Sequence, residues 1–235
     1  MLLEVQLPSI PAIEAEVGTK IRSRHPAWPG WVPGHWYARE YTWLLEQAGD
    51  VTGLRCLDAG GALSPISAIL SDRGAAEVVV VDLRPPRPYP ARGRIAPKTA
   101  DLQATGLEPG SFDLIVSPSS IEHNEWPAQE RIIRHLLELL RPGGRLLITV
   151  PAALATADER FIADLAGRGC VYLWTHASAR KMRNAVKALG AMETPLLRAP
   201  QYDREVQRIE AEMRALSPQL PDFPYQSMAL AWRRR

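Results

Sequence analysis

The chain contains 235 residues, of which 46% are hydrophobic and 23% are charged, with a formal net charge of +2. Such a chain can bury a full core as one globular domain, and its net charge is too small to indicate a nucleic-acid partner, which is considered unlikely. Its 2 cysteines are too few for a disulfide framework, and its N-terminus has neither a basic region nor a long apolar stretch, so we expect a cytoplasmic protein without membrane insertion.

The first segment, residues 1–36, is predicted to be an arm, because recurrent prolines prevent a long helix there. Residues 22–37 hold three of the 7 tryptophans, and rigid aromatic side chains cover a ligand at low entropic cost. The arm is therefore interpreted as a lid, with packing on the domain or an oligomer contact as the alternatives. Residues 37–235 form the main domain, which begins with a helix over 37–47 that ends at Gly49.

The first predicted strand, residues 54–58, ends at Asp58 and continues directly into Gly60 and Gly61. Glycines adopt backbone conformations closed to other residues and let a ligand approach the main chain. The helix that follows, residues 65–72, has its free N–H groups at the same crevice. A phosphate site excludes a neighbouring carboxylate, whereas a ligand with an ammonium group attracts one, so Asp58 favours a ligand with an ammonium group.

A second apolar strand, residues 78–82, also ends in an acid, Asp82, and a carboxylate there can accept both hydroxyls of a ribose. The next segment, residues 83–94, contains four prolines and predicts an extended crossover in place of a helix. A short strand at 94–96 and a turn at 101–102 follow.

The central strand is predicted over residues 112–117, with Ser117 at its exit and Glu122 and His123 in the loop beyond. This exit faces the same crevice as Asp58, at the carboxyl edge of the predicted sheet. Ligands bind at this edge in open α/β sheets. Histidine titrates near neutral pH, so His123 is the candidate general base and Glu122 the candidate residue that orients its ring. Adjacent residues on a loop seldom reach one ion together, so no metal site is predicted.

The remaining elements are predicted from apolar periodicity and from helix start and stop signals. Helical insertions at 152–175 and 198–222 are interpreted as substrate-recognition segments. The predicted elements are helix 126–140, strand 145–150, helix 158–166, a helix from Thr175 as N-cap to Leu189, a strand within 191–197, helix 202–216, and an antiparallel edge strand at 226–232.

In their order and spacing, these segments resemble class I S-adenosylmethionine-dependent methyltransferases over roughly residues 53–151. The similarity rests on the acid and glycines after the first strand, the acid after the second, the Asp-Leu turn, and the strands FDLIVS and LRPGGRLLITVP. The resemblance implies a Rossmann-like, doubly wound α/β fold. Its seven-stranded sheet would be mostly parallel with an antiparallel last strand, extended by the arm and the insertions. It also implies S-adenosylmethionine as cofactor and S-adenosylhomocysteine as product.

The resemblance also implies which residues contact the cofactor. An acid at the position of Asp101 hydrogen-bonds the adenine amino group in this family, and capping of a turn is the alternative for this residue. Glycines usually occupy two later loop positions where this chain has Ala62 and Ser64, so the loop differs in shape. In some members the Glu-His pair supports the loop and the cofactor pocket instead of transferring a proton. The expected cofactor contacts are Asp58, Gly60, Gly61, Asp82, Leu83, Asp101, Leu102 and Ser117.

The implied function is methyl transfer to an oxygen or nitrogen of a small-molecule acceptor, such as a sugar, lipid or natural-product intermediate. Two alternatives stay open: the same chemistry on a protein or RNA, and a non-catalytic module that binds S-adenosylmethionine. A nicotinamide dehydrogenase is disfavoured, because its fingerprint has three spaced glycines with no acid directly before them. A homodimer is compatible with this interpretation.

Overall fold

A mixed sheet forms the centre of the fold in the computed structural model, which describes residues 12, 15–16, 18–19, 36–61, 64–84, 94–152, 161–162, 171–192, 196–197 and 226–235. Its central strands are nearly continuous apolar runs, as expected for a parallel sheet with helices on both faces. The strands are β1 (Arg55–Ala59), β2 (Glu77–Asp82), β3 (Ile95–Thr99), β4 (Phe112–Pro118), β5 (Leu140–Ala152), β6 (Phe161–Ile162), β7 (Val171–Tyr172), β8 (Gly190–Met192), β9 (Leu196–Leu197) and β10 (Gln226–Arg234).

The sheet has the order β3-β2-β1-β4-β5-β10-β8, and β9 pairs with β10 on the same side as β8. The sheet is therefore seven strands wide. Strands β1 to β5 pair in parallel, and β10 runs antiparallel to β5, β8 and β9. This topology confirms the predicted α/β class with a mostly parallel sheet and an antiparallel last strand.

The predicted edge position of the last strand is wrong, because β10 lies between β5 and β8. On one of its faces, Met228, Leu230 and Trp232 pack into the core, and on the other Ala229 and Ala231 do so. A strand with both faces buried and a partner on each side belongs inside a sheet. Among the described strands, the short β8 occupies the edge instead, which fits the preference for short edge strands.

Helices cover both faces of the sheet, with α1 and α2 on one face and α3 and α4 on the other. Successive β1 residues Cys56 and Leu57 belong to the two different cores, as the two-residue period of a strand requires. The helices are α1 (Trp36–Ala48), α2 (Ile66–Asp72), α3 (Trp126–Leu139) and α4 (His176–Val186), and a 3₁₀ turn spans Ile121–His123. No described helix is long and apolar enough to cross a lipid bilayer.

Two helix ends agree with their predicted signals. Helix α1 is followed by Gly49, whose φ of 66° is the left-handed conformation expected after a helix. Thr175 is the N-cap of α4, and its Oγ1 accepts a hydrogen bond from the Ser178 N–H at 3.1 Å.

The helix predicted over residues 158–166 is wrong where the chain is described, because Phe161–Ile162 forms β6 and pairs antiparallel with β7. The partner strand lies beyond the predicted segment, so local periodicity could not reveal the pairing. Other predicted segments lie wholly or mostly outside the described residues: the arm at 1–36, the crossover at 83–94, the helix at 202–216 and the insertions at 152–175 and 198–222.

Candidate active site

Asp58 is fully buried at the carboxyl end of β1, where the chain turns towards α2. Its Oδ2 accepts a hydrogen bond from the Ser67 N–H at 3.2 Å, in the first turn of α2. The Ser64 hydroxyl accepts the Ile66 N–H at 3.0 Å, so it satisfies another free amide of the same helix end. The carboxyl group of Asp58 is therefore held at the carboxyl edge of the sheet, beside the first turn of α2.

The two glycines after β1 leave no room for side chains. Gly60 has a φ of 77°, and its N–H donates to the Val81 carbonyl at 2.7 Å. A Cβ on Gly60 would overlap the side chain of Ser120, and a Cβ on Gly61 would overlap the Asp58 carboxylate. The turn from β1 towards α2 therefore requires glycine at both positions, while the close approach of a ligand to this backbone stays a prediction.

Asp82 ends β2 beside this turn, and Leu83 follows it. Asp82 Oδ1 accepts the Arg84 N–H at 2.9 Å, which fixes the carboxylate at the strand end. Leu83 is 68% exposed, and it is the one large hydrophobic side chain exposed among the residues whose side-chain exposure the structure describes. An apolar surface beside a carboxylate suits a nucleoside, whose base is flat and whose ribose offers hydroxyl groups.

Asp101 lies in the turn after β3, at the same edge. Its Oδ1 accepts the Gln103 N–H at 2.8 Å and its Oδ2 accepts Gln103 Nε2 at 3.3 Å, so it does cap the turn. The neighbouring Leu102 packs its side chain into the core. Asp101 remains exposed, and its predicted contact with adenine stays a prediction.

Ser117 is buried near the end of β4, and its hydroxyl donates to the Ala59 carbonyl at 2.9 Å. The bond joins the carboxyl ends of β1 and β4 directly beneath the glycine turn. The side chain thus has an observed role in the scaffold, while its contact with the cofactor stays a prediction.

Glu122 and His123 lie in the 3₁₀ turn that follows β4. The Glu122 side chain is 3% exposed and the His123 side chain is 36% exposed. Glu122 Oε1 lies 4.0 Å from His123 Nε2, which is too long for the hydrogen bond expected of an orienting residue. Glu122 Oε2 is buried without a hydrogen-bond partner among the described residues. Burial raises the pKa of Glu122 well above its usual range, a backbone hydrogen bond opposes this shift, and the negative charge of Glu40 adds to it.

The sequence interpretation missed Glu40, a fully buried acid on α1. It lies one helical turn before the buried Leu44. An acid within the apolar stripe of the helix was the signal available in the sequence.

Gln129 of α3 holds the far end of the same loop. Its Nε2 donates to the Asn124 carbonyl at 2.7 Å, and its Oε1 accepts Trp174 Nε1 at 2.7 Å. The Trp174 ring packs 5.3 Å from that of Trp126, measured between ring centroids. The loop that carries Glu122 and His123 is therefore anchored to the helical layer.

The raised pKa of Glu122 predicts how stability depends on pH. The folded chain binds more protons than the unfolded chain between the two pKa values, so this residue makes the folded state less stable as pH rises through that interval. Glu122→Gln removes the titration, and its free energy of unfolding should gain on that of the wild type as pH rises above the usual titration range of a glutamate. Urea unfolding of both proteins at pH values within and above this range measures the difference.

The matched control is Glu108→Gln, which replaces an exposed acid on a loop. This variant should follow the wild-type dependence on pH. If the free energy of unfolding of Glu122→Gln fell relative to that of wild type as pH rose, the assigned direction of the pKa shift would be contradicted.

Comparison with known proteins places the chain in a family. A family model described as a methyltransferase domain matches residues 33–191, which include every site residue discussed above. The curated relative "Highly reducing polyketide synthase 2" of Gibberella zeae is 39% identical over 62 residues, covering 25% of this chain and 2% of that protein. The chain thus spans a very small part of that relative.

Two solved structures share the fold along nearly the whole chain. The 1,6-didemethyltoxoflavin-N1-methyltransferase of Burkholderia thailandensis, solved with bound 1,6-didemethyltoxoflavin and S-adenosylhomocysteine, has a TM-score of 0.64 and 16% identity, covering 99% of this chain and 94% of that chain. The [4+2]-cyclase SpnF has a TM-score of 0.61 and 14% identity, covering 97% of this chain and 98% of that chain. At such low identities, the likeness establishes the fold and not the substrate.

Proposed function

The chain belongs to the family of methyltransferase domains, and we propose that it transfers the methyl group of S-adenosylmethionine to an oxygen or nitrogen of a small-molecule acceptor. The observation that carries the proposal is the cradle formed by the buried Asp58 and the tight turn through Gly60 and Gly61 at the carboxyl edge of the sheet. The solved cyclase shares the same fold, so family membership, and not the fold, is the reason for choosing methyl transfer.

The residues at the sheet edge fit the parts of this cofactor. Asp58 would hold the ammonium group of its amino-acid end, and Asp82 the ribose hydroxyls. The exposed Leu83 would cover one face of the adenine, and Asp101 would meet its amino group. Gly60 and Gly61 would let the amino-acid end lie against the backbone.

When bound, the cofactor supplies a methyl group on a positively charged sulfur, which makes the leaving group ready for displacement. The protein's part is to align the acceptor with that methyl group and to exclude water. Supporting evidence for a small acceptor comes from the Burkholderia methyltransferase, whose structure contains 1,6-didemethyltoxoflavin. A small net charge of +2 also favours a small molecule over a nucleic acid.

Calorimetry tests the cofactor assignment. We expect S-adenosylmethionine and S-adenosylhomocysteine to bind the full chain, and NAD to give no heat of binding. If neither sulfur compound binds, the proposed function is wrong. Transfer of labelled methyl from S-adenosylmethionine to a panel of small alcohols, phenols and amines then separates an enzyme from a non-catalytic binding module.

We propose His123 as the base for a hydroxyl or protonated amine acceptor. Its half-exposed imidazole follows β4 at the carboxyl edge, and the buried Glu122 carboxyl group 4.0 Å away makes no hydrogen bond to it. His123→Gln should lower turnover more than about tenfold and leave S-adenosylhomocysteine affinity unchanged. Turnover within about tenfold of wild type, equivalent to about 1.4 kcal/mol, would contradict this role.

The proposal also places the chain in the cytoplasm, where S-adenosylmethionine-dependent metabolism would supply its cofactor. Whether the working unit is a monomer or a homodimer is decided by its mass in solution, measured by light scattering.

A further inference from the structure

Glu40 is a fully buried acid that has no part in the proposed cofactor contacts. Burying an ionised carboxylate is costly unless hydrogen bonds replace the lost water. Side chains from several elements donate such hydrogen bonds to Glu40. The elements to which these donors belong indicate which parts of the chain Glu40 holds together.

Three hydroxyl groups converge on the Glu40 carboxylate. Ser119 Oγ donates to Oε2 at 2.7 Å, and Thr149 Oγ1 donates to the same oxygen at 3.3 Å. Ser227 Oγ donates to Oε1. These donors lie in the loop after β4, in β5 and in β10, so Glu40 connects α1 to that loop and to two neighbouring strands of the sheet.

Of the three donors, Ser119 has the unusual backbone. Its φ of 39° is left-handed, and it is the one non-glycine residue with positive φ among those the structure describes. This conformation is strained for a residue with a side chain, so it persists only where its surroundings hold it. The Ser119 N–H donates to the Thr149 carbonyl at 3.0 Å, and its hydroxyl donates to Glu40. The two bonds fix Ser119 at both backbone and side chain.

The conformation of Ser119 sets the position of the residues that follow. The Ser120 side chain occupies the space over Gly60, because a Cβ added to Gly60 would overlap it. Glu122 and His123 come next in the 3₁₀ turn. A change at Ser119 therefore reaches both the glycine turn of the cofactor cradle and the loop on the acceptor side.

We propose that Glu40 is a positioning residue of the active site: through Ser119 it fixes the loop of residues 118–124 against Gly60. This inference rests on the proposed function, since it assumes that the loop borders the site of methyl transfer. Glu40 itself acts from beneath the loop and does not contact the reactants.

The test uses Glu40→Gln and Ser119→Ala in the full chain, alone and together, with Ser111→Ala as the matched control. Ser111, like Ser119, is a loop serine whose hydroxyl donates a hydrogen bond, in this case to the Glu108 carbonyl at 2.6 Å. It lies before β4, at the end of the sheet opposite to the proposed site. The readouts are hydrogen exchange of residues 118–124 and calorimetric affinity for S-adenosylhomocysteine.

We expect both single variants to speed exchange in the loop and to weaken S-adenosylhomocysteine binding at least about fivefold, a typical size for coupling between separate sites. In the double variant, the loss of affinity should be close to the larger of the two single losses and should not exceed their product. Both substitutions break the same link, so their effects are not independent. Ser111→Ala should leave loop exchange and affinity at wild-type values.

The proposal is overturned if Glu40→Gln and Ser119→Ala lower Tm but leave loop exchange and affinity within twofold of wild type. If Glu40→Gln fails to fold, Ser119→Ala decides the matter alone, since it removes a hydroxyl without burying a new group. A wild-type chain that binds no S-adenosylhomocysteine refutes the proposed function separately. Loop exchange in the variants then still decides whether Glu40 positions the loop.

Discussion

Asp58→Asn should weaken S-adenosylhomocysteine binding by at least about thirtyfold, equivalent to about 2 kcal/mol. The substitution keeps the size of the side chain and an oxygen that can accept the Ser67 N–H, so the start of α2 should stay intact. What it removes is the negative charge at a fully buried position, where an ammonium group of the ligand would have no substitute partner. Calorimetry on both proteins measures the loss.

Asp113→Asn is the matched control for this change. Asp113 lies at the other end of the sheet, where its carboxylate accepts the Arg55 N–H at 2.7 Å and pairs with Arg141 at 2.5 Å. Its substitution should cost stability and leave ligand affinity unchanged. An Asp58→Asn protein that keeps its affinity within threefold of wild type would remove Asp58 from the cofactor site.

Gly60→Ala should destabilise the fold by about 2 to 5 kcal/mol and also impair ligand binding. A left-handed φ costs an alanine about 1 to 2 kcal/mol, and forcing extra atoms into a packed site costs about 1 to 3 kcal/mol more. Here the added Cβ would overlap Ser120, so the loop after β4 must shift away from the cradle. Denaturant unfolding and S-adenosylhomocysteine calorimetry report the two effects.

Gly53→Ala separates the two costs. Gly53 has a φ of 76°, nearly identical to the 77° of Gly60, but no atom lies within 4 Å of an added Cβ. It should therefore show the backbone cost alone, with normal ligand affinity. If both variants lost the same stability and kept their ligand affinity, Ser120 would have moved aside without affecting the fold or the site. The turn would then not be a cradle for the ligand.

Much of the site's placement could be predicted because a parallel sheet gathers the ends of its strands. Asp58, Asp82 and Ser117 each end an apolar run, and β1, β2 and β4 are neighbours in the sheet. Parallel strands have their carboxyl ends at one edge of the sheet. Residues at the ends of these three strands could therefore be predicted to lie close together. The same reasoning left the roles of Ser117 and Asp101 open, because hydroxyl and carboxylate groups have several partners available at a strand end.

The contact between Glu122 and His123 could not be settled in the same way. Adjacent residues in a 3₁₀ turn point in different directions, and here one side chain is buried while the other is half exposed. Sequence proximity suggested an orienting hydrogen bond, but the backbone geometry of the turn places Oε1 and Nε2 4.0 Å apart.

By itself, the sequence determined the alternation of strands and helices, the glycine turn and the row of acids at the carboxyl edge, because these depend on local periodicity and on the geometry of parallel strands. Tertiary structure alone decided the interior position of β10 and the role of Glu40, whose hydroxyl partners lie 79, 109 and 187 residues away along the chain. The physical reason is that a buried carboxylate is stabilised by whichever donors the folded core brings to it. No local pattern specifies donors that distant.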